Sequence, residues 1–187
     1  MSGTIVAKIR YENSTYQTHG ELPRIGTFAP DVSLVNTKLQ NVSLANFAGL
    51  RKIMFVGVSI DTEVFARSVI RLDEYAAGRE KLAVLVVTYD LPFAHSRFKK
   101  AHDLNFTLLA DPKGEVAHKF GVPYKLGEES IEREIEGQLE VLTRTATIKR
   151  WTFVIDRDGR IAMKNDKVKA AEDSQAILEF VAELKQN

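Results

Sequence analysis

The sequence predicts an α/β fold in which helices flank a mixed central sheet. Two almost continuous apolar runs, at 52–58 and 82–87, are typical of strands buried on both faces of a sheet. Segments with apolar residues at helical spacing follow each run, and a strong hairpin pattern lies at 151–163. Strands that alternate with helices before a final hairpin favour a sandwich built around one mixed sheet.

The N-terminal part predicts short strands joined by turns. Apolar and polar residues alternate over 5–19, with turn residues at 12–14, and this pattern predicts a β-hairpin. Prolines and a glycine mark 23–30 as an irregular connector. We then expect a short strand at 32–34 and a second short strand with a turn of helix at 42–47.

A helix is predicted directly after the first core strand. Asp61 is the expected N-cap, and the helix should end near Gly78. The apolar residues that recur at helical spacing between them are Phe65, Val69, Leu72 and Ala76.

The remaining elements follow from proline, glycine and apolar spacing. Pro92 opens a helix that runs to about residue 102, and a short strand is expected at 106–109. A turn and a helix should occupy 111–121. A final helix is predicted at 174–184, because its apolar positions face one way.

One stretch breaks this rhythm. Residues 128–142 are dense in glutamate, and four apolar residues are spaced as one helical face. Gly137 weakens a helix there by about 1 kcal/mol relative to Ala. The pattern predicts an amphipathic helix that either lies solvated on the body of the protein or acts as a lid or partner-binding helix. The four residues are Ile131, Ile135, Leu139 and Leu142.

Length, charge and composition bound the function classes. The chain has 187 residues and a net charge of +1, so we expect one domain and no general affinity for nucleic acid or an acidic membrane. No apolar run approaches the ~20 residues of a membrane helix, and no signal peptide is recognisable. A cytoplasmic location is therefore expected. The absence of cysteine excludes disulfides, thiolate metal sites and cysteine nucleophiles.

Motif searches predict neither a cofactor nor a metal. No phosphate-binding glycine loop and no G-x-S-x-G nucleophile motif occurs. No two of the four histidines have H-x-x-x-H spacing. His95 and His102 lie about two helical turns apart, and we expect them to share the face of a surface helix. The remaining histidines are His19 and His118.

Two segments carry a family resemblance. Residues 59–66 (SIDTEVFA) and 90–98 (DLPFAHSRF) resemble the bacterial thiol peroxidases, the atypical two-cysteine branch of the peroxiredoxins. Residues 47–49 and 154–156 extend the resemblance, which covers most of the chain. It implies a single thioredoxin-like domain over 1–187, with a stretch around 123–148 that is longer than the family's.

The family's mechanism, which the resemblance brings with it, needs a thiolate. A peroxidatic cysteine lies in the first turn of the helix after the first core strand, in a P-x-x-x-T-x-x-C pattern. Helix amides and an arginine lower its pKa, and the threonine and the arginine orient the peroxide. A second cysteine, after an S-R-F run, resolves the sulfenic acid as a disulfide.

Carried over by position, this pattern loses its chemistry here. Phe65 occupies the peroxidatic position, Val58 the proline position and Lys99 the resolving position. Thr62 is kept, and Arg150 is the expected arginine. Phe65 should pack with the apolar stripe of its helix into the space of the peroxide pocket.

Three functional hypotheses remain open. The first is a catalytically inactive relative that acts as a binding or regulatory module, forms a homodimer through the edge near the former active site and engages a further protein partner. The second is an antioxidant hydroperoxide reductase, as the family resemblance alone suggests. The third is an enzyme of different chemistry, in which Asp61, Thr62, Glu63 and Arg150 hold a small anion at the helix N-terminus.

Overall fold

A computed structural model of the chain describes residues 7–11, 14–18, 20–125, 130–135, 138–143, 147–148 and 150–165. The strands are β1 (Ala7–Tyr11), β2 (Ser14–Thr18), β3 (Ser33–Asn36), β4 (Asn41–Ser43), β5 (Arg51–Val56), β6 (Leu82–Thr88), β7 (Thr107–Ala110), β8 (Tyr124–Lys125), β9 (Ser130–Ile135), β10 (Gln138–Thr143), β11 (Thr147–Ile148), β12 (Trp151–Ile155) and β13 (Ile161–Asn165). The helices are α1 (Glu63–Ala76), α2 (Pro92–Ala101) and α3 (Glu115–Lys119), and a 3₁₀ turn spans Leu44–Phe47.

A seven-stranded mixed sheet forms the centre of the molecule, in the order β13-β12-β5-β6-β7-β3-β4. The three middle strands β5, β6 and β7 are parallel, and the flanking pairs are antiparallel. Helical connections join β5 to β6 and β6 to β7, as parallel neighbours require. The predicted α/β fold class is confirmed, together with the late hairpin β12–β13.

Both faces of the sheet are covered, which explains the continuous apolar runs. Along β5, Ile53 and Phe55 enter one core cluster, and Met54 and Val56 enter the other, because successive side chains point to opposite faces. Apolar residues of α1 and α2 pack on the first of these clusters. Residues of α3 pack on the second.

The start of α1 lies one residue later than predicted. Thr62, not Asp61, is the N-cap, with extended backbone angles of φ −83° and ψ 122°. The Thr62 carbonyl accepts the first helical hydrogen bond, from the Ala66 N–H at 2.9 Å. Asp61 lies outside the helix, where its backbone N–H donates to the Ser59 hydroxyl at 3.0 Å.

A second sheet uses the N-terminal hairpin. Strands β1 and β2 pair in an antiparallel register, as predicted, and the four-stranded sheet has the order β1-β2-β8-β11. Gln17 of β2 pairs with Tyr124 of β8, which brings the hairpin to the segment that follows α3.

The helix predicted over 128–142 is wrong: this stretch forms the antiparallel pair β9–β10. Ile131 is opposite Leu142, and Ile135 is opposite Gln138. Apolar residues at 131, 135, 139 and 142 fit a helix, but positions 131 and 135 also fit the alternating spacing of a strand. β-Branched residues favour strands, and Gly137 falls between the two strands in the sequence, where a turn residue is expected.

Some expectations lie beyond the described residues or stay untested. The final helix at 174–184 and the side chain of His19 are outside the described ranges. The single-domain organisation and the role of 123–148 as a lid or partner-binding segment stay predictions. Within the described ranges, no helix is both long enough and apolar enough to cross a membrane.

Candidate functional site

Phe65 lies in the first turn of α1, at the carboxyl end of the parallel strands. Its side chain is 2% exposed, and its ring stacks on Phe55 of β5 with centroids 4.8 Å apart and planes 7° from parallel. Val69 and Leu72, one and two turns along the helix, belong to the same core cluster. The phenyl ring therefore fills space inside the fold, as the apolar spacing predicts.

Arg150 faces this ring. Its guanidinium carbon lies 5.5 Å from the Phe65 centroid and 5.8 Å from the Phe55 centroid, within range of a cation–π contact with each. One guanidinium nitrogen also donates to the Ser68 hydroxyl at 3.5 Å. The structure thus brings the predicted arginine against Phe65, where its guanidinium contacts aromatic carbon.

Gly57, which the sequence analysis missed, makes room for the ring. A Cβ atom at this position would lie 2.2 Å from a Phe65 ring carbon, far inside any tolerable contact. Phe65 therefore fits only because residue 57 has no side chain. The available signal was a glycine at the end of an apolar strand, which indicates a close approach.

Val58 and Thr62 do not join Phe65 and Arg150 in one cluster. Val58 is half-buried and packs against the opposite core cluster from Phe65. Thr62 is exposed, and its hydroxyl donates to the Ser59 carbonyl at 2.8 Å. The threonine hydroxyl thus makes a local turn contact.

Lys99, which the sequence resemblance assigns to the resolving position, forms a hydrogen bond with the backbone. Its ammonium group lies near the end of α2 and donates to the Phe106 carbonyl at 2.6 Å. Burial lowers the pKa of Lys99, the nearby Asp73 carboxylate opposes this shift, and Lys38 adds to it. This hydrogen bond of Lys99 connects α2 to the segment before β7.

A polar network missed from the sequence joins the loops after β5 and β6. One oxygen of the Asp90 carboxylate accepts from the Ser59 hydroxyl at 2.8 Å. The other accepts from the Ile60 N–H at 2.7 Å and from the Thr88 hydroxyl at 2.7 Å. Asp90 therefore holds the chain that leads into α1, and its signal was the D-L-P start of the next helix.

His95 also belongs to this network. The prediction that it lies with His102 on the face of a surface helix is wrong. The side chain is fully buried, with 0% exposure, because α2 packs this side against the sheet, whereas His102 is exposed. Burial lowers the pKa of His95 to about 4, against a smaller opposing effect of Asp90. His95 is therefore neutral at pH 7.

The hydrogen bonds assign the tautomer of His95. The single hydroxyl proton of Thr88 goes to Asp90, so at the 2.7 Å contact between Thr88 and His95 the imidazole Nε2–H must donate. Nδ1 is then a lone-pair acceptor, and within the described residues it has no hydrogen-bond partner. No group of three or more histidine and acidic side chains suited to a metal occurs in that same part of the chain.

Comparison with known proteins agrees with the family resemblance of the sequence. The model of the AhpC/TSA family matches residues 25–164, three quarters of the chain. The chain belongs to the AhpC/TSA family. It is a peroxiredoxin-like, thiol-peroxidase-like member whose sequence contains no cysteine.

Individual relatives agree on family and fold. The chain is 30% identical to the thiol peroxidase of Corynebacterium glutamicum over 176 residues, covering 92% of this chain and 98% of the relative. It is 34% identical to that of Streptococcus pneumoniae over 143 residues, covering 76% and 77%. A peroxiredoxin-like protein from Aquifex aeolicus superposes with a TM-score of 0.73 at 23% identity, covering 97% and 99%. The predicted thioredoxin-like peroxiredoxin fold is confirmed.

Proposed function

We propose that the protein is catalytically inactive as a peroxidase and works as a binding or regulatory module. The carrying observation is the buried ring of Phe65, which packs against Phe55 and Arg150 and fits because Gly57 has no side chain. The sequence resemblance assigns this residue to the position of the peroxidatic cysteine. A phenyl ring has no lone pair that can attack a peroxide oxygen. The reaction of the family therefore has no nucleophile at this position.

No other residue supplies the missing thiolate. The sulfur atoms of the sequence are those of Met1, Met54 and Met163. A thioether oxidises to a sulfoxide, which needs a separate reductase to return, so it gives no turnover by itself. Met54 is also buried in the core, with 1% exposure.

The surface beside the former site supports the binding role. Val64, Leu91 and Phe93 are 51%, 55% and 63% exposed. They lie at the starts of α1 and α2, which the Asp90 network holds together. Large apolar side chains grouped on a surface are typical of protein interaction sites. We infer that a second copy of this chain covers these side chains in a homodimer. We also propose a cytoplasmic location for the protein.

Sedimentation equilibrium of the purified chain tests this interface. The wild-type protein should be a dimer, and Phe93→Asp should shift it to monomer, because a charge at the centre of an apolar contact loses solvation without gaining a partner. Leu39→Asp is the matched control, since Leu39 is 60% exposed but lies on the turn between β3 and β4. A monomeric wild type, or a Phe93→Asp dimer as tight as wild type, would contradict the homodimer.

The two alternatives gain no specific support. A hydroperoxide reductase would need a nucleophile in the place of Phe65. An anion site at the start of α1 would need the Thr62 hydroxyl, which donates to the Ser59 carbonyl. It would also lie beside the Glu63 carboxylate, which pairs with Arg67 and whose negative charge disfavours an anion. The binding role is therefore the function that the geometry favours.

A further inference from the structure

Two neighbouring cavities, together called the groove, lie at the amino-terminal edge of the parallel strands, at the opposite end from Phe65. They share Gly78, Arg79, Glu80 and Leu82. The walls come from the loop between α1 and β6 and from the first residues of β5, β6 and β7.

One arm of the groove is largely apolar. It has a volume of about 580 Å³. Its acidic residue away from the shared loop is Asp73, whose carboxylate accepts hydrogen bonds from the Asn105 and Phe106 backbone N–H groups at 2.9 Å and 3.2 Å. That carboxylate is thus already engaged within the fold. The larger apolar residues of the lining are Phe47, Leu50, Leu82, Val84 and Phe106.

The other arm is basic. It has a volume of about 400 Å³, and Glu80 is the one carboxylate among its described lining residues. Lys81 and Arg157 are exposed, so their charges are accessible to a ligand. The four cationic residues of the lining are Arg51, Arg79, Lys81 and Arg157.

We propose that this groove binds a small amphiphilic anion, with its acidic head at Lys81 and Arg157 and its apolar body in the other arm. Each arm has a volume within the range of about 300–1,000 Å³ that is usual for small-molecule sites. Ammonium and guanidinium groups form charge-assisted hydrogen bonds with carboxylates. The adjoining arm removes apolar surface from water, so head and body are recognised together.

Titration of the isotope-labelled protein with sodium decanoate, followed by amide NMR, tests the site. Saturable shifts should appear at Gly78, Leu82 and Thr107. Decanol, which lacks the charge, and acetate, which lacks the apolar body, should each bind at least tenfold more weakly. Shifts centred on Val64 and Leu91, or no saturable shift at all, would overturn the proposal.

Variants then assign the two arms. Lys81→Glu combined with Arg157→Glu should weaken decanoate binding at least tenfold. Lys100→Glu combined with Lys113→Glu, an equal charge change at exposed lysines outside the groove lining, should leave it unchanged. Ala77→Trp, at an exposed position of the apolar arm, should block binding by filling the groove. Equal loss in both charge-reversed proteins would mean general electrostatics and would overturn the site.

Discussion

Phe65 is a buried packing residue in the first turn of α1. Burial of such a side chain contributes about 1.5–3 kcal/mol relative to leaving it exposed. Its burial was predictable from the sequence, because Phe65, Val69 and Leu72 recur at helical spacing. The clearance at Gly57 and the contact with Arg150 were not, since they depend on how β5 and β12 pair beneath the helix.

The close approach of Gly57 to the Phe65 ring leads to a prediction about the free energy of unfolding. Gly57→Ala should lower the free energy of unfolding by about 1–3 kcal/mol, because its methyl group overlaps the Phe65 ring. In a Phe65→Ala background, which itself should cost about 3–5 kcal/mol, the further cost should fall below about 0.5 kcal/mol. Urea unfolding of the four proteins measures this coupling.

The matched control for that cycle is Phe153→Ala. Phe153 is a fully buried phenylalanine in the other core cluster. The cost of Gly57→Ala should persist undiminished in that background. If Gly57→Ala lowers the free energy of unfolding equally with and without the Phe65 ring, the claim that this ring needs the space at Gly57 is contradicted.

His95 gives a prediction of pH dependence. Its pKa in the folded protein is about 4, against 6.5 for the free side chain, so the unfolded chain binds more protons between these values. Stability should therefore fall as pH drops through this window, by at most about 1.4 kcal/mol per pH unit from this residue. His95→Gln should remove that part of the slope in urea unfolding between pH 7 and pH 4.5.

Asp111 also contributes to the pH dependence of stability. The slope of His95→Gln is therefore subtracted from the slope of wild type. Burial raises the pKa of Asp111 to about 6, despite backbone hydrogen bonds that lower it. Its effect on stability has the opposite sign, because the folded state keeps this proton to higher pH, but it is common to both proteins. The exposed His102, changed to Gln, should leave the slope intact. A wild-type slope equal to that of His95→Gln would contradict the neutral buried imidazole.

At the level of secondary structure, the Asp90 carboxylate connects the chain that leads into α1 with the start of α2. Asp90→Asn should lower the free energy of unfolding by about 1–3 kcal/mol, because an amide group cannot accept from Ser59, Ile60 and Thr88 together. Asp61→Asn is the control: Asp61 is exposed, and this change should stay within about 0.5 kcal/mol. Equal effects in urea unfolding would show that the network does not hold the helix starts.

The elements also show where sequence patterns fail. Strands β5 and β6 were predictable because burial on both faces leaves a continuous apolar run. The β9–β10 pair was not, since its apolar positions satisfy helical spacing as well as alternation. The N-cap of α1 shifted by one residue because Asp61 and Thr62 are both good capping residues.

At the scale of the whole molecule, the fold is peroxiredoxin-like and the sequence contains no cysteine. The order of strands and helices and the short D-L-P-F-A motif were enough to predict the fold and the family. The groove at the amino-terminal edge was not predictable, because its walls join residues from distant parts of the sequence through sheet pairing.

The most direct test of the proposed inactivity is peroxide consumption by the purified chain, with thioredoxin, thioredoxin reductase and NADPH supplied. The thiol peroxidase of Corynebacterium glutamicum serves as the positive control. NADPH oxidation with hydrogen peroxide or cumene hydroperoxide should be no faster than in the protein-free control, because no thiolate is available. Intact mass should show at most slow methionine oxidation. Sustained turnover of many peroxide equivalents per chain would contradict the account, since it requires a nucleophile that these residues do not provide.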